Sequence, residues 1–163
     1  MLINESLESR SKDKKGILYL IKDTNKVYYH KLIERFKKIK NFDLDRVIFI
    51  DQLNRDGYIN HLGSSSVLLD PLYFGAGNSF HESMVYGTPT VTMPTKFIKS
   101  RIVTAAYIQM EVDNPPIVKN EKEYIEMAVD FANAKDLSNI KKYYREKAKQ
   151  KLFNTQNVGR EFN

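Results

Sequence analysis

Residues 46–110 read RVIFIDQLNRDGYINHLGSSSVLLDPLYFGAGNSFHESMVYGTPTVTMPTKFIKSRIVTAAYIQM. Three short apolar runs, 46–50, 67–69 and 89–93, alternate here with helix-forming stretches. Runs of this length without polar interruption suit parallel strands buried on both faces. Asn54 is a helix cap before the first intervening helix and Gly63 is its expected stop. Ser79 and Glu82 have the S-x-x-E spacing of a capping box, and that helix is expected to close at Gly87. An apolar helix is expected over 98–110. Outward from this stretch the alternation continues. Residues 17–21 predict an earlier strand, Asp23-Thr24-Asn25 a helix start, and residues 27–40 a helix with Tyr29, Leu32, Ile33, Phe36 and Ile39 on one face. Downstream, Ile117-Val118 predicts a short fifth strand. Asn120 and Glu123 form a cap pair, and a last helix covers 136–151. Strand and helix alternating about five times define an α/β fold, a Rossmann-like parallel sheet with helices on both faces. The expected organisation is a flexible lead-in over 1–15, one domain over 16–154 and a tail over 155–163.

The 163 residues contain no cysteine, so disulfides and thiolate chemistry are excluded. No apolar run approaches the ~20 residues of a membrane span, and the first residues lack a signal-peptide core. The expectation is a cytoplasmic protein without a membrane partner. His30, His61 and His81 are far apart and show no metal-ligand spacing, so no metal site is expected. Nearly all of the net charge of +6 lies in 135–151. There Lys135, Lys141, Lys142, Arg145, Lys147, Lys149 and Lys151 oppose only Asp136 and Glu146. A solvated helix face explains such a stripe, and a nucleic-acid-binding face is its rival.

Ligands of open parallel sheets bind beyond the carboxyl ends of the strands. The unusual sequence at such a place is Asp70-Pro71-Leu72-Tyr73-Phe74-Gly75-Ala76-Gly77-Asn78-Ser79. Gly75 and Gly77 remove side chains where a phosphate can approach the backbone. Asn78 and Ser79 stand at a helix entrance that favours an anion. Glu82 has two competing roles: bonding back to the helix start, or accepting hydrogen bonds from ribose hydroxyls. His81 reads as a packing or surface histidine. The pattern is neither a dinucleotide fingerprint nor a P-loop. No nucleophile elbow or Ser-His-Asp set is present, and no catalytic residue is named.

The order of Val67-Leu68-Leu69-Asp70-Pro71, Phe74-Gly75-Ala76-Gly77-Asn78-Ser79 and Gly87-Thr88-Pro89-Thr90-Val91-Thr92-Met93-Pro94, followed by Arg101, resembles the O-GlcNAc transferase and SPINDLY-like glycosyltransferases. A weaker likeness reaches back to Gly16 and forward to about Phe153. The resemblance implies the C-terminal, nucleotide-sugar-binding half of a GT-B fold. It implies a metal-independent transferase without a cofactor, using a UDP-sugar, expected to be UDP-GlcNAc, and a protein hydroxyl as acceptor. By resemblance, Gln52 and Leu53 face the uracil, and Arg55, Tyr58 and His61 lie near base and phosphates. Gly77, Asn78 and Ser79 hold the diphosphate, Glu82 binds the ribose and Arg101 completes the pattern. The chain departs from the animal members, which carry His-Thr-Thr at 77–79 and a His at the place of Tyr58. The family's phosphate-binding Lys and its other Rossmann-like half precede the matching region, so a missing N-terminal GT-B half is expected in cis or in trans. The rival readings are a non-catalytic interaction domain that keeps the fold, a basic nucleic-acid-binding module, and a nucleotide-sugar epimerase.

Overall fold

A computed structural model describes residues 15–22, 26–40 and 42–154. The lead-in up to residue 14, the helix start at Asp23-Thr24-Asn25 and the tail from 155 lie outside the described residues. Strand β1 (Leu18–Ile21) pairs in parallel with β2 (Val47–Ile50), Leu18 opposite Val47 and Ile21 opposite Ile50. Helices α1 (Lys26–Lys37) and α2 (Arg55–Ser64) flank this pair. Phe49 meets Tyr29 of α1 edge-on at 4.8 Å, and Tyr19 meets His61 of α2 at 5.0 Å. Tyr19 lies opposite Ile48, one residue from Phe49, so the two helices cover opposite faces.

A second parallel pair joins β3 (Leu68–Leu69) to β4 (Thr90–Val91). Prolines keep these strands short: Pro71 follows β3, and Pro89 and Pro94 bracket β4. The expected fifth strand is reduced to a single parallel bridge between Thr92 and Ile117, because Pro115 and Pro116 before it have no N–H for a ladder. Among the described residues the ladder is thus two separate pairs rather than one continuous sheet.

Helices cover both faces of the second pair as well. On one side Phe80 from α3 (Gly77–Ser83) and Met84 just after it pack with Val103 and Tyr107 from α4 (Ile102–Gln109) and with Tyr144 from α6 (Ser138–Lys147). On the other, Leu72, Val91 and Val118 pack with Tyr124 from α5 (Glu121–Asn133).

Several helix ends differ from expectation. Asn54 caps α2 as expected, accepting the Gly57 N–H at 2.8 Å, and Asn120 and Glu123 bond reciprocally at the start of α5. The capping box at Ser79 and Glu82 does not form. α3 begins two residues earlier, at Gly77, and Ser79 is already inside it. Gly63 does not stop α2, which runs to Ser64. Its hydrogen atom is needed for packing instead, since a Cβ there would come within 2.5 Å of the Tyr86 ring. Lys141 of α6 ends α2 by donating to the carbonyls of Gly63 and Ser65 at 2.8 and 2.7 Å. The expected helix over 98–110 is split into a 3₁₀ turn (Ile98–Ser100) and α4, because the Ser100 hydroxyl bonds back to the Phe97 carbonyl. The last helix passes from α6 into a π turn over Ala148–Leu152.

Two buried features lock the second pair to its helices. The first is Gly87, at φ +73°, where an added Cβ would run into the Lys141 carbonyl of α6. The second is Asp70, 2% exposed at the end of β3. One of its carboxylate oxygens accepts the Ala76 N–H and the other accepts the Thr92 hydroxyl, each at 2.6 Å. Its carbonyl accepts the Tyr124 hydroxyl at 2.9 Å. Burial raises the Asp70 carboxyl above its ordinary range, and the bonds from Thr92 and Ala76 oppose that shift.

Gly87→Ala is expected to lower stability by about 2–4 kcal/mol, combining left-handed strain with overpacking, as read by urea denaturation. For Asp70 the unfolded chain loses its proton first, so the folded state holds more protons above about pH 4. This group's contribution to stability therefore falls as pH rises through the folded value and is level beyond it. Asp70→Asn keeps an acceptor for the Ala76 N–H, cannot ionise, and is expected to show a smaller decline in urea midpoint between pH 4 and pH 7 than the parent.

Candidate functional site

The loop after β3 and the segment after β4 meet at the carboxyl edge of the second pair. Gly75 is the point of contact: its N–H donates to the Lys99 carbonyl at 2.9 Å, and a Cβ there would lie 2.7 Å from that oxygen. Only a residue without a side chain lets the two segments touch. The loop then turns into α3 through Ala76, whose N–H is held by Asp70. The first helical bond of α3 runs from Phe80 N–H to Ala76 O at 2.6 Å. The amides of Asn78 and Ser79 precede that bond and have no helical acceptor.

Helix α2 packs against α3. The Tyr58 hydroxyl of α2 donates to Ser79 Oγ at 2.8 Å. Ser79 therefore keeps its own proton to donate elsewhere. Glu82, half-buried on α3, makes no side-chain hydrogen bond or ion pair among the described residues. The competition between its two roles is thereby resolved on one side, because it does not cap the helix. His81 Nδ1 lies 2.8 Å from the Gly77 carbonyl, one turn back on its own helix, so its role here is local.

The remaining expected residues are less tightly gathered. Gln52 and Leu53 lie exposed in the loop between β2 and α2, and Arg55 is the exposed first residue of α2. His61, two turns on, turns its ring toward Tyr19. Arg101 stands before α4 and donates from Nε to the Thr95 carbonyl at 2.7 Å. Its neighbour Ile102 lies 3.7 Å from where a Gly77 side chain would begin, so the starts of α3 and α4 are adjacent. Tyr58, Gly77 and Ser79 are thus brought together, with Arg101 close by along the chain. Gln52, Leu53 and Arg55 lie on the exposed loop and helix start that precede Tyr58.

Sequence reasoning missed Asp70 as a site-building residue and read it only as a strand end. A carboxylate closing an apolar strand beside a glycine loop is the signal that could have found it. It also missed the cluster of Thr95, Phe97 and Ser100, whose mutual bonds hold the turn below Arg101. The basic stripe is partly spent on structure. Lys141 caps α2, Lys147 donates to the Glu111 carbonyl, and Lys151 pairs with the Glu111 carboxylate at 2.8 Å. Among the described residues no group of His, Asp or Glu is arranged to hold a metal ion. No described helix is long and apolar enough to cross a membrane.

Comparison with known proteins bears on this geometry. No curated protein matches the chain. A solved structure of a mutant Thermobaculum terrenum O-GlcNAc transferase matches with a TM-score of 0.75 at 17% identity. The match covers 91% of this chain and 28% of that one, so the chain spans little more than a quarter of the protein it resembles. The likeness establishes the fold as that of the GT-B C-terminal region, with parallel strands between helices. The model of glycosyl transferase family 41 matches residues 13–162. The chain belongs to glycosyl transferase family 41.

Proposed function

We propose that this chain is the UDP-sugar-binding half of a glycosyltransferase that passes a sugar, GlcNAc by preference, to a protein hydroxyl. Family membership across residues 13–162 supports the transferase class. The observation that carries the finer reading is the bond from Tyr58 to Ser79, beside two amides without helical acceptors. A diphosphate would take those amides and the Ser79 proton. Glu82, free of capping duty, would accept the ribose hydroxyls. Gln52 and Leu53 would flank the base through the backbone, with Arg55 and His61 nearby.

In the transfer step the bond between the sugar and the diphosphate breaks and negative charge grows on the leaving phosphate. Preformed N–H and O–H groups aimed at that charge lower the barrier without having to reorganise. Arg55 and Arg101 are the cations we assign to this role. No residue of the chain is assigned as general base. The acceptor and a second GT-B half, in cis or in trans, would complete the enzyme, which we place in the cytoplasm.

Calorimetric titration with UDP tests this reading. Glu82→Ala is expected to weaken UDP by about ten- to a hundredfold, the loss of a charged hydrogen-bonding partner. Tyr58→Phe is expected to weaken UDP while leaving uridine unchanged, because the phenol acts through Ser79 on the phosphates. Absence of UDP binding even at millimolar ligand would sink the proposal.

A further inference from the structure

Residues 71–110 contain Lys96, Lys99 and Arg101 but a single carboxylate, Glu82. The structure gathers the three cations on the turn between β4 and α4, next to the glycine loop. Large apolar side chains surround them in solvent. Ile98 is 82% exposed and Phe74 69%, and Phe97, Ile102 and Ile108 are exposed as well. Scattered exposed apolar residues are ordinary, but a contiguous set rimmed by one sign of charge marks a contact surface.

The surface is preformed. Ser100 Oγ accepts the Thr95 N–H at 3.0 Å and donates to the Phe97 carbonyl at 2.8 Å. Arg101 spends Nε on the Thr95 carbonyl and has no other partner among the described residues. Behind this turn lies an open cavity of about 580 Å³, lined by Thr95, Lys96, Arg101, Thr104, Ala105 and Ile108. The Thr104 hydroxyl, closed off from solvent, has no hydrogen-bond partner among the described residues.

We propose that this cavity and its apolar rim dock an acidic polypeptide segment, carboxylates interspersed with apolar side chains, belonging to the protein acceptor. The inference rests on the transferase reading above for the word acceptor, and on the cationic turn with its exposed apolar side chains for the acidic peptide. Lys96 receives a carboxylate, Lys99 and Arg101 supply long-range attraction, and Ile98 and Ile108 take the apolar neighbours. Charge complementarity calls for an anionic partner. The open recess, with Ala105 and Ile108 beside Lys96, suits a segment that alternates apolar and acidic side chains. Lys99 and Lys96 already lie over the Phe74 and Phe97 rings, at 5.2 and 5.4 Å, which leaves those faces poor platforms for bases.

The test uses the full chain and a short fluorescein-labelled peptide of glutamate and leucine around one serine, read by anisotropy. The expected result is binding that weakens by about tenfold or more when glutamine replaces glutamate, the loss of charged hydrogen bonds. Lys96→Glu and Ile98→Ser are each expected to weaken the peptide severalfold while UDP affinity measured by calorimetry stays unchanged. Ile98 is too exposed for its replacement to unfold the chain, so that variant stands even if the other misfolds. Equal affinity for the glutamate and glutamine peptides, or no binding of either, overturns the proposal. So does tighter binding to phosphatidylserine vesicles or to polyuridylate than to the acidic peptide. Peptide binding without UDP binding would sink the donor-site reading and leave the acidic-peptide site standing, and UDP binding without peptide binding would do the reverse.

Discussion

A buried carboxylate at the end of a two-residue strand holds this structure's working edge together. Asp70 receives the Thr92 hydroxyl from the segment after β4 and the Ala76 amide from the glycine loop, while its carbonyl receives the Tyr124 hydroxyl from α5. Strands as short as β3 and β4 exchange too few ladder bonds to define an edge by themselves. The carboxylate supplies what the ladder lacks. Burying it costs free energy, seen in its raised proton affinity, and its two short bonds offset part of that cost. Through Ala76 the same group sets where α3 begins, and so where the amides of Asn78 and Ser79 point.

The interior around β4 follows the same logic. Thr88, Thr90 and Thr92 are all fully buried, an unusual density of hydroxyls for a core strand. Each is matched. Thr88 donates to the Leu62 carbonyl of α2, and Thr92 to Asp70. Thr90 lies beside the Ser83 hydroxyl, and its N–H and carbonyl both bond the Tyr107 hydroxyl. Burial pushes the Tyr107 phenol far above its ordinary range, which keeps it a neutral donor and acceptor. A strand suspended by side-chain bonds from α2, α4 and the β3 end has one register, because any slip would orphan several buried polar groups.

Charge is divided between structure and surface. The basic stripe is the most conspicuous feature of the composition, yet Lys141, Lys147 and Lys151 are spent on carbonyls and on Glu111. Lys141 gives up hydration to cap α2, and burial lowers its proton affinity accordingly. The smaller group of Lys96, Lys99 and Arg101 has no carboxylate partner among the described residues and sits beside the glycine loop. Position relative to the fold, and not the number of charges in a row, separates a structural cation from one available to a ligand.

The sequence by itself determined the α/β class, the positions of four strands and six helices, the caps at Asn54 and Asn120, and the family pattern over 46–110. These follow from local properties: apolar runs, helical spacing, and side chains that bond within their own turn. It misread the capping box because Ser79 and Glu82 satisfy its spacing equally well from inside a helix; the start of α3 was decided by Asp70 holding Ala76, a contact outside the helix. It misread Gly63 because the need for a missing side chain came from Tyr86, on another element. The freedom of Glu82, the Tyr58–Ser79 bond and the exposure of the cationic turn were likewise settled only when separate segments met. Hydrogen bonds and close packing between residues far apart in the chain leave no periodic mark in it, and the tertiary structure alone decided them.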